Sequence, residues 1–388
     1  MATENSNTVK KILITGGGSG GHLSVASALI ETIKEHYPDS FKKLIYVGGD
    51  LGMVGEEYGN SLEQRHFKDA DFKCYFIRAG KLQREFAIST IKLALRTILG
   101  LKDSLEIMKS NNPDLIFSSG GFVSVPVCIA AWLKGIPVYI HEQTAAVGLA
   151  NQIVGKFAKK IFITFKSSTQ YFKNKNTIQV GNIVRLAVLK KSGEGKVVEK
   201  IKKFKKNKLP IIYISGGGLG SHTLNTYILE NLDILLKEYN VVLQMGDNQI
   251  HNDYDFALNI HKQLDSKMQE RFLPVKYVNK DEIGFLFHNI DLYIGRAGAN
   301  TVYEIGVIQI PSIFIPISWV THDEQTKNAQ TLVSLGLSEI LPEKDLKAIN
   351  ISVYIKDFLS RELGVNRKKI KNLFPTTALQ QILSHLFK

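Results

Sequence analysis

The chain has 388 residues, 44% of them hydrophobic and 22% charged, a length for two domains and a composition that excludes a disordered chain. Two cysteines, Cys74 and Cys128, exclude a disulfide framework or a cysteine-rich metal site and fit a reducing compartment. The net charge of +13 is uneven: residues 1–182 hold 22 Lys and Arg against 15 Asp and Glu, residues 183–208 hold 10 against 2, and the remainder 17 against 19. This places the basic character on the first half and the segment after it, as a lysine-rich composition or as a face for something anionic. No nucleic-acid-binding motif accompanies the charge, so nucleic acid is not expected as a partner. The polar start, Met1–Lys11, has no apolar signal core, and secretion is not expected.

In chain order, Lys11–Thr15 reads as a strand, Gly16–Gly21 as a glycine turn, and Val25, Leu29, Ile30 and Ile33 fall at helical spacing. Short β-rich runs then alternate with helical ones: Leu44–Val47, Leu115–Phe117, Val138–Ile140 and Ile161–Phe165. Leu115–Leu133 is uncharged and nearly long enough to span a membrane, but Gly120, Gly121 and Pro126 break it into strand, turn and buried helix. The opening then repeats: Ile211–Ile214, the loop Ser215–Gly220, and Leu224, Ile228, Leu232 and Leu235 at helical spacing. Val241–Gln244, Leu292–Ile294 and Ser312–Ile315 follow as strands. The alternation predicts an α/β fold of two Rossmann-like parallel-sheet domains facing across a cleft. The boundary falls near Gly181–Asn182, giving domains 1–182 and 183–365. Lys190–Lys208 reads as a linker with a polar helix. The last helix, about Lys369–Leu386 within 366–388, is a candidate to pack back on the first domain.

Both glycine loops stand where a strand hands over to a helix, where bare N–H groups and the helix dipole hold phosphate. Gly16, Gly18 and Gly21 match the dinucleotide spacing, and Asp50 could serve as a ribose-binding acid. A nicotinamide enzyme needs one such loop, however, and two loops suggest two phosphate-bearing ligands. His22 follows the first loop, at a helix start, where an imidazole can take a proton from a hydroxyl. His141-Glu142-Gln143-Thr144 follows a strand at its carboxyl end, the ligand-binding edge of open α/β sheets. After Leu292–Ile294, Gly298 permits a tight turn into a helix whose first amides suit a pyrophosphate, with Glu304 one or two turns on and able to accept from ribose hydroxyls. Ser318–Gln325 is a polar cluster beyond a buried strand, suited to a sugar; its His322, Asp323 and Glu324 are adjacent and do not readily converge on one metal ion. The D-x-D strings Asp69–Asp71 and Asp253–Asp255 lie in polar surroundings and read as chance. In Lys81–Met108, Ile91, Ala94, Leu95, Ile98 and Leu105 form a core face. Leu82, Phe86, Leu93 and Leu101 are left over among Lys81, Arg84, Lys92, Arg96 and Lys102. That second set suits an anionic membrane surface, or a helix buried on two sides.

Gly17–His22, Ser119–Pro126, Gly135-Ile-Pro-Val, His141-Glu-Gln, Gly148–Asn151, Val180-Gly-Asn and Arg296-Ala-Gly298 with Glu304 together resemble the MurG-type enzymes of glycosyltransferase family 28. These are the UDP-N-acetylglucosamine transferases of peptidoglycan lipid II synthesis. The resemblance implies a GT-B fold, no metal or other cofactor, and a peripheral enzyme on the cytoplasmic face of the bacterial plasma membrane. UDP-GlcNAc and lipid I are its implied partners, and the transfer is inverting, to the C4 hydroxyl of the acceptor sugar. It implies His22 as general base and Ser19, Gly20 and Gly21 at the acceptor diphosphate. It implies Thr144, Arg185, Gly217, Gly218, Arg296, Asn300, Thr301, Glu304 and Gln325 around the donor: Arg185 near the diphosphate, Glu304 on the ribose, Gln325 on the GlcNAc hydroxyls. Thr144, Ile183 and Gly218 stand where the family usually has Asn, Pro and Ser, and Leu23–Ala26 lacks the family's proline. The alternatives are a family-28 enzyme acting on another lipid such as diacylglycerol, a nicotinamide enzyme, and a non-catalytic nucleotide-sugar binder.

Overall fold

A computed structural model describes residues 9–51, 59–79, 88–172, 176–246, 250–317 and 323–388, with the backbone alone for 88–95. Lys81, Leu82, Arg84, Phe86 and the Leu93 side chain, read above as a membrane patch, lie outside the described residues. The chain divides into two compact units, residues 1–184 with 375–388, and residues 185–374.

The first unit is built on seven strands: β1 (Ile12–Thr15), β2 (Ile45–Gly49), β3 (Lys73–Ile77), β4 (Leu115–Ser118), β5 (Val138–Glu142), β6 (Lys160–Ile163) and β7 (Thr177–Gln179). They form one parallel sheet in the order β3-β2-β1-β4-β5-β6-β7. The central strands are apolar on both sides because helices cover both faces. Ile12 and Ile14 enter one core, with Leu29 and Ile33 of the helix Gly20–His36. Leu13 between them enters the other, with Val127 and Cys128 of the helix Ser124–Leu133, as the two-residue strand period requires.

The second unit has six parallel strands: β8 (Ile211–Ser215), β9 (Asn240–Gln244), β10 (Phe272–Val275), β11 (Leu292–Gly295), β12 (Ser312–Phe314) and β13 (Ser338–Ile340), in the order β10-β9-β8-β11-β12-β13. Ile212, Ile214, Val241 and Leu243 pack with Leu224, Ile228 and Ile355 on one face. Tyr213, Tyr293 and Phe314 cluster on the other.

Three sequence expectations change. Lys190–Lys208 is no free linker: its helix Lys196–Phe204 buries Val197, Val198, Ile201 and Phe204 in the second unit and leaves its lysines outside. The C-terminal helix is two helices. Arg367–Leu373 stays with the second unit, where the ring of Phe374 lies tilted against Tyr303 and fills the space over Gly306. Ala378–Leu386 joins the first, where Leu379, Ile382, Leu383 and Leu386 enter the core and Phe387 stacks on Tyr37 at 3.7 Å. Pro375 separates them, since it has no N–H to continue a helix. Finally, in the helix Ile88–Asn111, Ile98 is 64% exposed rather than core, whereas Leu101 packs inward. That helix approaches its neighbours through small residues: a Cβ on Gly100 would meet the Arg78 carbonyl at 2.1 Å, and Ser104 is fully buried.

Candidate active site

In each sheet the strand order reverses beside the first strand of the unit, at β1–β4 and β8–β11. Ligands of open α/β sheets bind outside the carboxyl ends of strands at such a switch point, because the loops there diverge and leave room. Both glycine loops stand at these two places.

After β1, the loop is braced from below. Tyr46 donates its hydroxyl to the Gly16 carbonyl at 2.7 Å, and Gly18 N–H donates to the buried Glu63 carboxylate, a partner that sequence reasoning missed. The helix then starts at Gly20, without a side-chain cap from Ser19 and with no acid in its first turn. Ser61, Asp265, Asn350 and Asn366 elsewhere cap their helices with side chains. Gly20 and Gly21 are exposed at this start. His22 projects from the same turn. Its ring lies over Gly120 and Gly121, both at left-handed φ, where a Cβ would come within 2.9 and 3.0 Å of the imidazole.

His22 Nδ1 sits 2.7 Å from the Ser119 carbonyl. A carbonyl can only accept, so Nδ1 carries the proton and the neutral ring keeps its lone pair on Nε2. Gln143 Nε2 donates to the same carbonyl at 2.7 Å, and Ser119 Oγ donates back to the His22 carbonyl at 2.9 Å. Burial lowers the His22 pKa below 6.5, against the opposing pull of the Ser119 and Gln143 hydrogen bonds. His141 lies fully buried behind it, donating Nε2–H to the Gly181 carbonyl at 2.9 Å. Burial pushes its pKa down to about 4. Glu142 is buried too and shifted upward by burial, although Thr144 and Asn151 donate to it. Thr144, expected near the donor sugar, has its hydroxyl within hydrogen-bond reach of Glu142 Oε1 and the Ala146 carbonyl. Asp50, the alternative ribose acid, is paired with Arg96 at 2.7 Å.

In the second unit, Gly217 and Gly218 border open space, with Gly217 at φ +91°. Gly298 also borders open space and precedes the helix Ala299–Ile308, which has no side-chain cap or acid in its first turn. Asn300 and Thr301 lie in that turn. Arg185 and Glu304, expected on different parts of a donor, are instead bound to each other: Nε to Oε1 at 2.7 Å and Nη2 to Oε2 at 2.6 Å. Burial alone would lower the Arg185 pKa; the charge and hydrogen bonds of Glu304 reverse this and raise it. Arg296 is not turned outward as a ligand would be. Its side chain is 8% exposed, and its guanidinium donates to the Ile315 carbonyl, Ser221 Oγ and Glu343, tying together the segments that follow β8, β11 and β12. Gln325 uses its carbonyl to accept from Ala297 and Ile317 N–H, leaving its amide N–H groups as the donors for any ligand. Asp253 of the second D-x-D string is buried and holds His222 and Asn225, and among the described residues no group of three or more His, Cys, Asp or Glu is arranged to hold a metal. His322 lies outside the described residues.

Two parallel-sheet domains, each with a glycine loop at its switch point, define a two-domain α/β enzyme of the GT-B class. Residues 54–163 match the glycosyltransferase family 28 N-terminal domain and residues 211–382 its C-terminal domain. A Clostridium botulinum protein named UDP-N-acetylglucosamine--N-acetylmuramyl-(pentapeptide) pyrophosphoryl-undecaprenol N-acetylglucosamine transferase is 34% identical over 93% of this chain and 92% of its own. A Bacillus anthracis protein of the same name, numbered 2, is 32% identical over 97% and 99%. Among solved structures, Acinetobacter baumannii MurG superposes with a TM-score of 0.67 at 21% identity, covering 97% of this chain and 98% of that one. The S. aureus MnaA–UDP co-structure superposes at 0.63 and 12%, covering 97% and 96%. The chain belongs to glycosyltransferase family 28.

Proposed function

We propose that the chain transfers GlcNAc from UDP-GlcNAc to the C4 hydroxyl of the MurNAc of undecaprenyl-pyrophosphoryl-MurNAc-pentapeptide, lipid I, with inversion, forming lipid II. The relatives' shared name supports the substrates. The observation that carries the chemistry is the His22 tautomer: Nδ1–H is committed to the Ser119 carbonyl, and the lone pair on Nε2 is kept free of a proton by burial. The acceptor O4 attacks C1 of the sugar, Nε2 takes the hydroxyl proton, and the C1–O bond to UDP breaks. Ser119 and Gln143 are positioning residues that fix the ring.

Ser19, Gly20 and Gly21 offer backbone N–H groups to the acceptor diphosphate, and residues 1–184 hold that substrate. Residues 185–374 hold the donor. Gly217 and Gly218 leave room for the phosphates of UDP to approach the backbone, and the helix Ala299–Ile308, which has no side-chain cap, presents its first turn at Asn300 and Thr301 to them, stabilising their growing charge. Glu304 shares both carboxylate oxygens with Arg185; a diphosphate that competes for Arg185 frees them for the ribose hydroxyls in the same step. Arg296 acts by shaping the loops. Gln325 contacts GlcNAc through its amide N–H groups.

The enzyme works peripherally, on the cytoplasmic face of the plasma membrane. No helix among the described residues is long and apolar enough to cross a membrane. Ile98, Leu99, Trp132 and Leu133 are exposed on two helices that pack together in the basic first unit. Apolar side chains in a cationic field suit an anionic leaflet.

The test is transfer of labelled GlcNAc from UDP-GlcNAc into lipid I, with diacylglycerol as the competing acceptor. Transfer to lipid I is expected, and its absence overturns the assignment. His22→Ala should abolish turnover while donor affinity stays unchanged; a non-catalytic binder would show no turnover in either protein.

A further inference from the structure

The two glycine loops carry a correspondence beyond glycine. Gly16-Gly-Gly-Ser-Gly-Gly-His22 and Gly216-Gly-Gly-Leu-Gly-Ser-His222 align without a gap, 200 residues apart, with five of the seven positions identical, and each ends in histidine. The first histidine is the base assigned above. The second opens the helix His222–Glu230 and belongs to no role assigned so far.

Its surroundings differ in kind from those of His22. His222 Nδ1 lies 2.7 Å from Asp253 Oδ1, a carboxylate where His22 has a carbonyl. Asp253 is buried and braced from behind: its Oδ2 accepts from Asn225 Nδ2 at 2.7 Å, and Asn225, fully buried, also donates to the Met245 carbonyl. The ring of His251 stacks on that of His222 at 3.9 Å, with the planes 10° apart. The imidazole is thus held by one edge and one face, while 48% of the side chain stays open to solvent. Helix 222–230 leaves the loop whose Gly217 and Gly218 border open space, and Ser221, just before His222, is gripped by Arg296.

We propose that His222 is a ligand of the donor diphosphate. With Nδ1–H given to Asp253, the imidazolium turns Nε2–H to a phosphate oxygen of the nucleotide in the glycine loop, and Asp253 balances its charge. No proton changes owner; the hydrogen bond strengthens as the leaving UDP gains charge. The same position in the repeat thereby serves opposite ends of the reaction: a neutral imidazole against a carbonyl accepts a proton, and a carboxylate-backed one binds an anion. This assignment rests on the proposed use of a UDP-sugar.

The experiment is calorimetric titration of the whole protein with UDP and with uridine. His222→Ala should weaken UDP by roughly tenfold or more, the size of one charge-assisted hydrogen bond, and leave uridine unchanged. His222→Arg, which keeps a cation with N–H donors at this exposed site, should recover most of the loss, whereas His222→Gln should not. Equal UDP affinity in His222→Ala and wild type, or an equal loss of UDP and uridine, overturns the assignment and leaves the glycosyltransferase reading intact. A wild-type protein that binds no UDP overturns that reading itself.

Discussion

His22 shows how far a residue's chemistry depends on what its second nitrogen meets. The Ser119 carbonyl fixes the proton on Nδ1, and burial keeps Nε2 bare at neutral pH. Activity that needs the bare nitrogen falls as pH drops through the His22 pKa, and that pKa is lowered. The acid limb of kcat/KM should therefore lie below 6.5, and a limb at or above 6.5 would contradict the assigned environment. Gly121→Ala tests the seat of the ring: its Cβ would stand 2.0 Å from the Gly17 carbonyl and 3.0 Å from His22, at a φ of +87°. Turnover should drop by about a hundredfold or more as the ring is displaced, since misplacement of about 1 Å can cost that much. The reading is checked by kcat against UDP affinity, which should hold. The position of His22 after a glycine loop was legible in the sequence. That Ser119 and Gln143 orient the ring and Glu63 braces the loop was not, because these residues come from 41 to 121 residues away and meet it only in the fold.

At the scale of elements, the central strands were readable and the rims were not. The four strands absent from the sequence reading, β3, β7, β10 and β13, are the edge strands of the two sheets. An edge strand has one partner, so it can be short, half exposed or interrupted. β3 is mostly half exposed, β7 and β13 have three residues each, and β10 contains Pro274. β3, β7 and β13 are not buried throughout as the central strands are, and β10, though buried throughout, is apolar only across a proline that speaks against a strand. The helix Ala378–Leu386 makes the same point from the other side: its apolar spacing announces a buried face but not which domain buries it. In the structure Ile382 is fully buried against the first unit. Ile382→Ala should cost about 2–5 kcal/mol and lower the unfolding midpoint of that unit. Urea titration followed at probes in each unit checks this; equal loss in both units would argue against the division at Pro375.

For the whole molecule, two predictions follow from burial and charge. His141 is held neutral in the core, with a pKa of about 4 against an ordinary 6.5. The unfolded chain binds its proton first as pH falls, so this contribution is complete above 6.5 and is lost progressively down to about 4, amounting to about 3 kcal/mol. Glu142, shifted upward, works partly in the opposite direction. The pH dependence of unfolding free energy between 6.5 and 4 should flatten in His141→Gln, and an unchanged slope would refute the buried neutral state. At the surface, Trp132→Ser with Leu133→Ser should weaken binding to vesicles of anionic phospholipid by about tenfold and leave turnover of a water-soluble acceptor analogue unchanged. Sedimentation with anionic and neutral vesicles measures it.

By itself the sequence determined the parts that local chemistry dictates: two strand–glycine–helix openings, buried central strands, and a family pattern spread along the chain. Those follow from side-chain period and backbone freedom, which neighbours in sequence set. The tertiary structure decided which nitrogen of His22 carries the proton, that Arg185 and Glu304 hold each other, that Arg296 turns inward, and that the last helix crosses back to the first unit. Each depends on groups far apart in the chain being brought within a hydrogen bond or a van der Waals contact, and only packing decides those distances.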